Sequence, residues 1–148
     1  MGNIFNDDFR EFIKALNDHD VFYMLVGGYA VIIHGYRRTT GDMDVWVKPV
    51  EENYIKLMKA FHQFGLPSIN KEDFLENEEK DVFSFGRSPV SIDILNQVKG
   101  CDFDEAYSIS QIFMEDNLPI RFIHLQTLLQ AKKASGRHKD LDDIEKLS

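Results

Sequence analysis

The sequence predicts a single α/β (α+β) domain over residues 1–148, with a mixed β-sheet of four to six strands and helices packed mainly on one side. Strand-like segments alternate along the chain with segments of helical periodicity. Two pairs of the strand-like segments are separated by turn-forming residues, which is typical of hairpins. There is no internal repeat or low-complexity linker, and the length suits one domain. We place its core near residues 20–96 and its C-terminal helices near 124–147.

Apolar periodicity and capping signals predict the helices. In the first helix Asn6 is the expected N-cap, and apolar residues from Phe9 to Leu16 recur on one face. Gly65 and Gly136 are the expected C-caps of two later helices. The predicted helices cover residues 3–18, 29–36, 51–64, 71–77, 103–108, 124–135 and 137–147.

Apolar or alternating segments predict the strands. Pro49 ends the second strand because proline has no N–H with which to continue the pairing. Residues 86–89 and 116–117 are the expected hairpin turns, since both contain turn-forming residues. The predicted strands cover residues 21–26, 42–47, 81–85, 90–95, 110–115 and 118–123.

Composition restricts the partners. The formal net charge is −8, whereas proteins that grip nucleic acid through its phosphates usually have a basic footprint. A nucleotide or another small molecule therefore suits the chain better than a long nucleic acid, unless a local basic patch holds RNA. The longest apolar run, near residues 21–33, is interrupted by glycine and is too short to cross a membrane as one helix. With no signal-peptide pattern and one isolated cysteine, Cys101, we expect a cytoplasmic protein without a membrane partner.

Two features between residues 24 and 48 point to chemistry. Gly27-Gly28 follows an apolar strand and opens a helix, an arrangement that lets a phosphate approach the helix N-terminus. Asp42 and Asp44 alternate along the next strand, so their carboxylates share one face and repel each other. A divalent cation such as Mg²⁺ or Mn²⁺ relieves that repulsion.

Other residues are candidates for the same site. Asp93 lies in an otherwise apolar strand and completes a cluster of three carboxylates if that strand neighbours the first acidic one; the alternative is a structural ion pair with an arginine. Arg37 and Arg38 either clamp phosphate or the carboxylates, or are solvated loop charges. Thr40 is a further candidate contact to the nucleotide.

These residues together resemble the signature of the polymerase-β-like nucleotidyltransferase superfamily. The signature is an apolar residue, Gly-Gly or Gly-Ser, a spacer, and Asp-apolar-Asp/Glu-apolar, here Gly27-Gly28 and the segment Asp-Met-Asp-Val at 42–45. A third carboxylate on a later strand corresponds to Asp93. The resemblance implies a nucleotidyltransferase fold, and a metal-dependent transfer of NMP from an NTP to a hydroxyl of a small molecule such as an antibiotic, of a tRNA end or of a protein. Asp42, Asp44 and Asp93 would be the catalytic metal ligands.

The C-terminal region carries a second set of charges. A lysine on a helix, then Arg-x-Lys-Asp and a further Asp, is similar to the C-terminal signature of abortive-infection-type nucleotidyltransferase toxins. The resemblance implies that Lys132 or Lys133, together with Arg137 and Asp140, borders the nucleotide site. The alternative is a solvated face with local pairs such as Lys139 to Asp143, and with Leu141, Ile144 and Leu147 on the apolar side.

Two other readings of the whole chain stay open. It is either a catalytically degenerate nucleotide binder, acting as a sensor or as a toxin–antitoxin partner, or a structural module whose acidic pair has no ligand.

Overall fold

The computed structural model describes residues 4–36, 40–76, 82–87 and 90–147. Within them the chain forms a six-stranded mixed sheet and several helices, which confirms the predicted fold class. The strands are β1 (Tyr23–Val26), β2 (Met43–Val47), β3 (Val82–Arg87), β4 (Val90–Leu95), β5 (Gln111–Glu115) and β6 (Leu118–Phe122). The helices are α1 (Asp7–Asp18), α2 (Gly27–Ile33), α3 (Glu51–Phe64), α4 (Lys71–Glu76), α5 (Phe103–Ser108), α6 (Leu125–Ser135) and α7 (His138–Leu147).

The strand order is β3-β4-β2-β1-β6-β5. The two predicted hairpins, β3–β4 and β5–β6, form the two ends of the sheet as antiparallel pairs. In the middle, β1 and β2 run antiparallel, whereas β4 runs parallel to β2 and β6 runs parallel to β1. The two hairpins therefore flank one central pair of strands. Within the sheet, β2 lies between β1, which leads into the glycine turn, and β4, which carries Asp93.

The helices cover both faces of the sheet unequally. The larger apolar cluster is formed by α1, α3, α4 and the strand residues on that face, with Phe12, Phe61 and Phe74 essentially inaccessible to solvent. A smaller cluster on the opposite face contains Trp46, and residues of α5, α6 and α7 pack there. Because side chains alternate along a strand, Met43 and Val45 point into the larger cluster, whereas Asp44 and Trp46 point to the opposite face.

Local capping signals fix several helix ends. Asn6 accepts a hydrogen bond from the Phe9 N–H at the start of α1, as expected, and Gly65 and Gly136 adopt left-handed conformations after α3 and α6. Helix α2 begins at Gly27 rather than at Tyr29, so the glycines are its first turn.

Among the differences from the expectation, two strand boundaries near the site and one helix face matter most. Strand β2 begins at Met43, so Asp42 precedes the strand, and β3 continues through Gly86 and Arg87 where a turn was expected. The prediction that Leu141, Ile144 and Leu147 form the apolar face of α7 is wrong, because Leu141 is 53% exposed. The buried positions of that helix are instead Asp140, Asp143 and Leu147.

None of the described helices is long and apolar enough to cross a membrane.

Candidate active site

The parallel pairing of β2 with β4 brings the acidic residues together. Asp44 and Asp93 are register partners on neighbouring strands, and their side chains point to the face that α6 and α7 cover. Asp42 lies one residue before β2, where its Oδ1 accepts hydrogen bonds from the Ser91 N–H at 3.1 Å and from Ser91 Oγ at 2.9 Å. The Ser91 hydroxyl also lies 3.0 Å from Asp93 Oδ1. The three candidate acids thus occupy one corner of the sheet.

The electrostatics of this corner are unbalanced. Burial, and then the charge of Asp93, raise the pKa of Asp44 to about 7. Asp42 contributes in the same direction, whereas the positive charge of Lys139 opposes the shift. A carboxylate whose pKa rises this far is one whose negative charge lacks sufficient compensation from its surroundings.

The glycine turn packs directly against this carboxylate. Gly27 has φ +66°, a conformation that side-chain-bearing residues rarely adopt, and a Cβ there would collide with Asp44 Oδ2. A Cβ at Gly28 would collide with the Thr40 side chain. The two glycines are therefore required by the close approach of the α2 start to Asp44 and Thr40.

A cleft of about 430 Å³ opens over these groups. Many of the predicted site residues line it, but Lys133 is not among them and is exposed. Arg37 and Arg38 lie outside the described residues. The predicted residues that line the cleft are Gly27, Gly28, Thr40, Asp42, Asp44, Asp93, Lys132, Arg137 and Asp140.

The far wall of the cleft contains a buried ion cluster that joins α6 to α7. Lys132 Nζ lies 2.9 Å from Asp143 Oδ2 and 3.4 Å from Asp140 Oδ1, and all three residues are at most 6% exposed. Arg137 Nε donates to Asp140 Oδ2 at 2.6 Å from the more exposed side. Burial acts to raise the pKa of Asp140, but hydrogen bonds from Arg137 and Ser135 and the nearby positive charges lower it below its ordinary value.

The charged residues of α6 and α7 are not simply a solvated face, because several of them form this buried ion cluster. Asp143, the suggested partner of Lys139, is buried and pairs with Lys132. Lys139 instead lines the cleft, where its charge acts on Asp44. Lys132 on α6 and the two acids on α7 meet only because the two helices pack together, and no local pattern in the sequence indicates this contact.

Some polar residues in or beside the cleft were not predicted from the sequence. Ser91 holds Asp42, although its position two residues before Asp93 on the same strand face could have indicated a polar role. Gln97, Lys99 and Lys139 line the cleft itself.

The acids do not form a ready-made metal cage. Among residues 4–36, 40–76, 82–87 and 90–147, no group of three or more His, Cys, Asp or Glu side chains is arranged to hold a metal ion. Asp44 and Asp93 contact each other directly, whereas Asp42 is connected to Asp93 through Ser91. The expected set of three carboxylates is thus present in one cleft, with one member turned to a serine.

A six-stranded mixed sheet with a cleft at the joined ends of β1, β2 and β4 defines the class of fold, which is nucleotidyltransferase-like. One solved structure that shares it is a Thermotoga maritima protein whose designation as a nucleotidyltransferase is provisional; the TM-score is 0.58, with 93% of this chain and 88% of that chain covered, at 13% identity. No protein-family model and no curated protein match the chain. At this identity the similarity establishes the fold alone, and the relation to the polymerase-β-like superfamily and to abortive-infection toxins stays a prediction.

We expect Lys132→Met to lower the free energy of unfolding by about 3–5 kcal/mol, because it removes the buried cation that Asp140 and Asp143 share, although Asp140 keeps Arg137. Lys133→Met is the matched control, since the adjacent lysine is exposed, and should change the stability by less than about 0.5 kcal/mol. Urea titrations of both variants measure the difference. Equal stability of the two variants would show that the ion cluster does not hold α7 in place.

We also expect the metal-free protein to lose stability as the pH rises from about 4 to about 7 through Asp44. The folded-state pKa of Asp44 lies above the unfolded value, so the folded chain binds the proton more tightly and unfolding releases it in this window. One such group contributes a slope of at most about 1.4 kcal/mol per pH unit. In buffer with a chelator, Asp44→Asn should make the melting temperature depend less on pH. Asp142→Asn, on the exposed side of α7, should leave this dependence unchanged. A wild-type slope in Asp44→Asn would contradict the expected role of Asp44.

Proposed function

We propose that the chain is a metal-dependent nucleotidyltransferase that moves an NMP group from an NTP to a hydroxyl acceptor. The observation that carries the proposal is the packing of the glycine turn against Asp44, with Asp42 and Asp93 in the same cleft. A fold shared with a protein designated a nucleotidyltransferase supports it. Carboxylates without full charge compensation beside an open cleft are typical of functional sites.

The donor set fits a hard divalent cation. Asp42, Asp44 and Asp93 offer carboxylate oxygen atoms to the cleft, which suit Mg²⁺ or Mn²⁺. The raised pKa of Asp44 is what carboxylates without a cation should show. Mg²⁺ is commonly bound by one or two carboxylates together with substrate phosphates, so a complete protein cage is not required. A bound cation would neutralise charge on the phosphates and on the attacking oxygen.

The chain's own groups have separate roles in this proposal. Gly27 and Gly28 leave room for the phosphates near the start of α2, and Asp93 accepts the proton of the acceptor hydroxyl. Arg37, Arg38 or Lys132 would offset the charge of the leaving pyrophosphate, but the ammonium group of Lys132 is already paired with two buried carboxylates. Lys139, which faces Asp44, is the better candidate within the described residues. Arg37 and Arg38 keep the predicted role of phosphate ligands.

The walls of the cleft are consistent with a nucleotide-sized ligand rather than a polymer. Val98, Leu128 and Ala131 provide apolar surface beside the polar end, which suits a base and ribose next to a triphosphate. A small molecule, a tRNA end or a protein hydroxyl remains the proposed acceptor, and a long nucleic acid is disfavoured by the net charge of −8.

A catalytically degenerate nucleotide binder is the second candidate. The observation in its favour is that Asp42 is turned to Ser91 and that the described residues hold no complete three-ligand group. Incubation with labelled NTPs and Mg²⁺ separates the two candidates, because an enzyme releases pyrophosphate or labels an acceptor in a cell extract, whereas a degenerate member binds the NTP unchanged.

We expect Asp42→Ala and Asp44→Ala each to abolish Mg²⁺-dependent NTP binding, measured by isothermal titration calorimetry with a non-hydrolysable analogue. Asp142→Ala is the control, because it removes an exposed carboxylate from α7 and should bind as the wild type does. Unchanged affinity and unchanged metal dependence in both cleft variants would refute the proposed site.

Gly27→Ala should weaken the same binding by at least about tenfold, because its Cβ displaces the Asp44 carboxylate. Gly35→Ala is a matched control: Gly35 also has a positive φ, of 103°, but a Cβ there meets no atom within 4 Å. Both variants therefore carry backbone strain, and only Gly27→Ala disturbs Asp44. Equal effects of the two substitutions on binding would mean that backbone strain, rather than the contact with Asp44, causes the loss of binding in Gly27→Ala.

A further inference from the structure

The hydroxyl of Ser91 contacts two of the three candidate acids. Oγ is 2.9 Å from Asp42 Oδ1 and 3.0 Å from Asp93 Oδ1, and the Ser91 N–H donates to the same Asp42 oxygen at 3.1 Å. The residue is 6% exposed, so water has little access to it. Ser91 therefore joins the acid before β2 to the acid on β4.

One hydroxyl proton cannot serve two ionised carboxylates. A serine hydroxyl donates a single hydrogen bond, so only one of Asp42 and Asp93 can receive it at a time. Asp42 keeps the backbone N–H as a donor whichever way the hydroxyl turns. Asp93 lies beside the carboxyl of Asp44 and has the Ser91 hydroxyl within hydrogen-bond distance. The arrangement thus has two states, with the hydroxyl directed to Asp42 or to Asp93.

We propose that Ser91 is a positioning residue that sets the separation of Asp42 and Asp93 and organises both acids for a divalent cation. Were a cation to take up the charge of Asp93, the hydroxyl would turn fully to Asp42, which would then have two donors on one oxygen. The inference rests on the proposed function, because it concerns how the acids of that site are held. Ser91 acts through these acids and has no role in contacting the reacting atoms.

The expected size of the effect follows from the behaviour of other metal sites. Groups that hydrogen-bond to metal ligands orient them, and their removal typically lowers metal affinity by about 10–100-fold. Loss of the hydroxyl leaves Asp42 with its backbone donor, so we expect an effect near the lower end of that range. A serine that merely filled space in β4 would affect folding stability and leave metal affinity unchanged.

The test is direct measurement of Mn²⁺ binding, in the presence of a non-hydrolysable NTP analogue, from the electron paramagnetic resonance signal of unbound Mn²⁺. Ser91→Ala removes the hydroxyl, and Ser91→Cys keeps the volume with a much weaker donor. Both should bind Mn²⁺ about tenfold more weakly than the wild type. Ser91→Thr, which keeps a hydroxyl, should recover most of the affinity. Ser68→Ala, at an exposed position between α3 and α4, is the control and should match the wild type.

The outcomes separate this inference from the proposed function. Wild-type affinity in Ser91→Ala or Ser91→Cys, with binding lost in Asp44→Ala, overturns the role of Ser91 and leaves the proposed function in place. Equal losses in all three Ser91 variants, threonine included, also overturn it, because packing rather than the hydroxyl would then explain the effect. Absence of Mn²⁺ binding by the wild-type protein overturns the proposed function and this inference together.

Discussion

The repulsion between Asp44 and Asp93 is the constraint on which the rest of the site depends. The parallel register of β2 and β4 places these two acids side by side, so the fold cannot form without bringing their charges together. Burial makes the conflict worse, as the raised pKa of Asp44 shows. The surrounding residues either tolerate the conflict, as Gly27 does by lacking a side chain, or reduce it, as Lys139 does through its charge.

Much of the fold could be predicted because its signals are local. Helix α3 has its expected bounds, and the turn residues Asp116 and Asn117 adopt the positive φ that a tight hairpin requires. The faces of β2 and β4 also follow from simple alternation. The predicted buried face of α7 is wrong. The apolar pattern at spacing three predicted burial of Leu141, but the buried face of this helix includes two acids that pair with Lys132. Pairing between separate helices leaves no periodic trace in a sequence.

The same division applies to the site. Gly27, Gly28 and the Asp-x-Asp pair lie within one short segment, so their spacing alone indicated a possible role. Asp93 was a conditional prediction, because its place depended on β4 lying beside β2, and the strand pairing now satisfies that condition. Ser91 could not be found in this way, since its significance arises only where the chain before β2 passes the start of β4. The roles of all these residues in chemistry stay predictions.

The balance of charge in the cleft implies that nucleotide and cation bind together in the proposed function. Three acids face the cleft, and Lys132 cannot offset them because Asp140 and Asp143 already neutralise it. Among the described cations of the cleft, Arg137 is paired with Asp140, which leaves Lys99 and Lys139 to face the acids. A triphosphate alone would therefore meet more negative than positive charge from the described part of the cleft, whereas a divalent cation would bridge it to the acids that repel it. In the proposed function the mutual repulsion of the carboxylates is thus what makes nucleotide binding depend on metal.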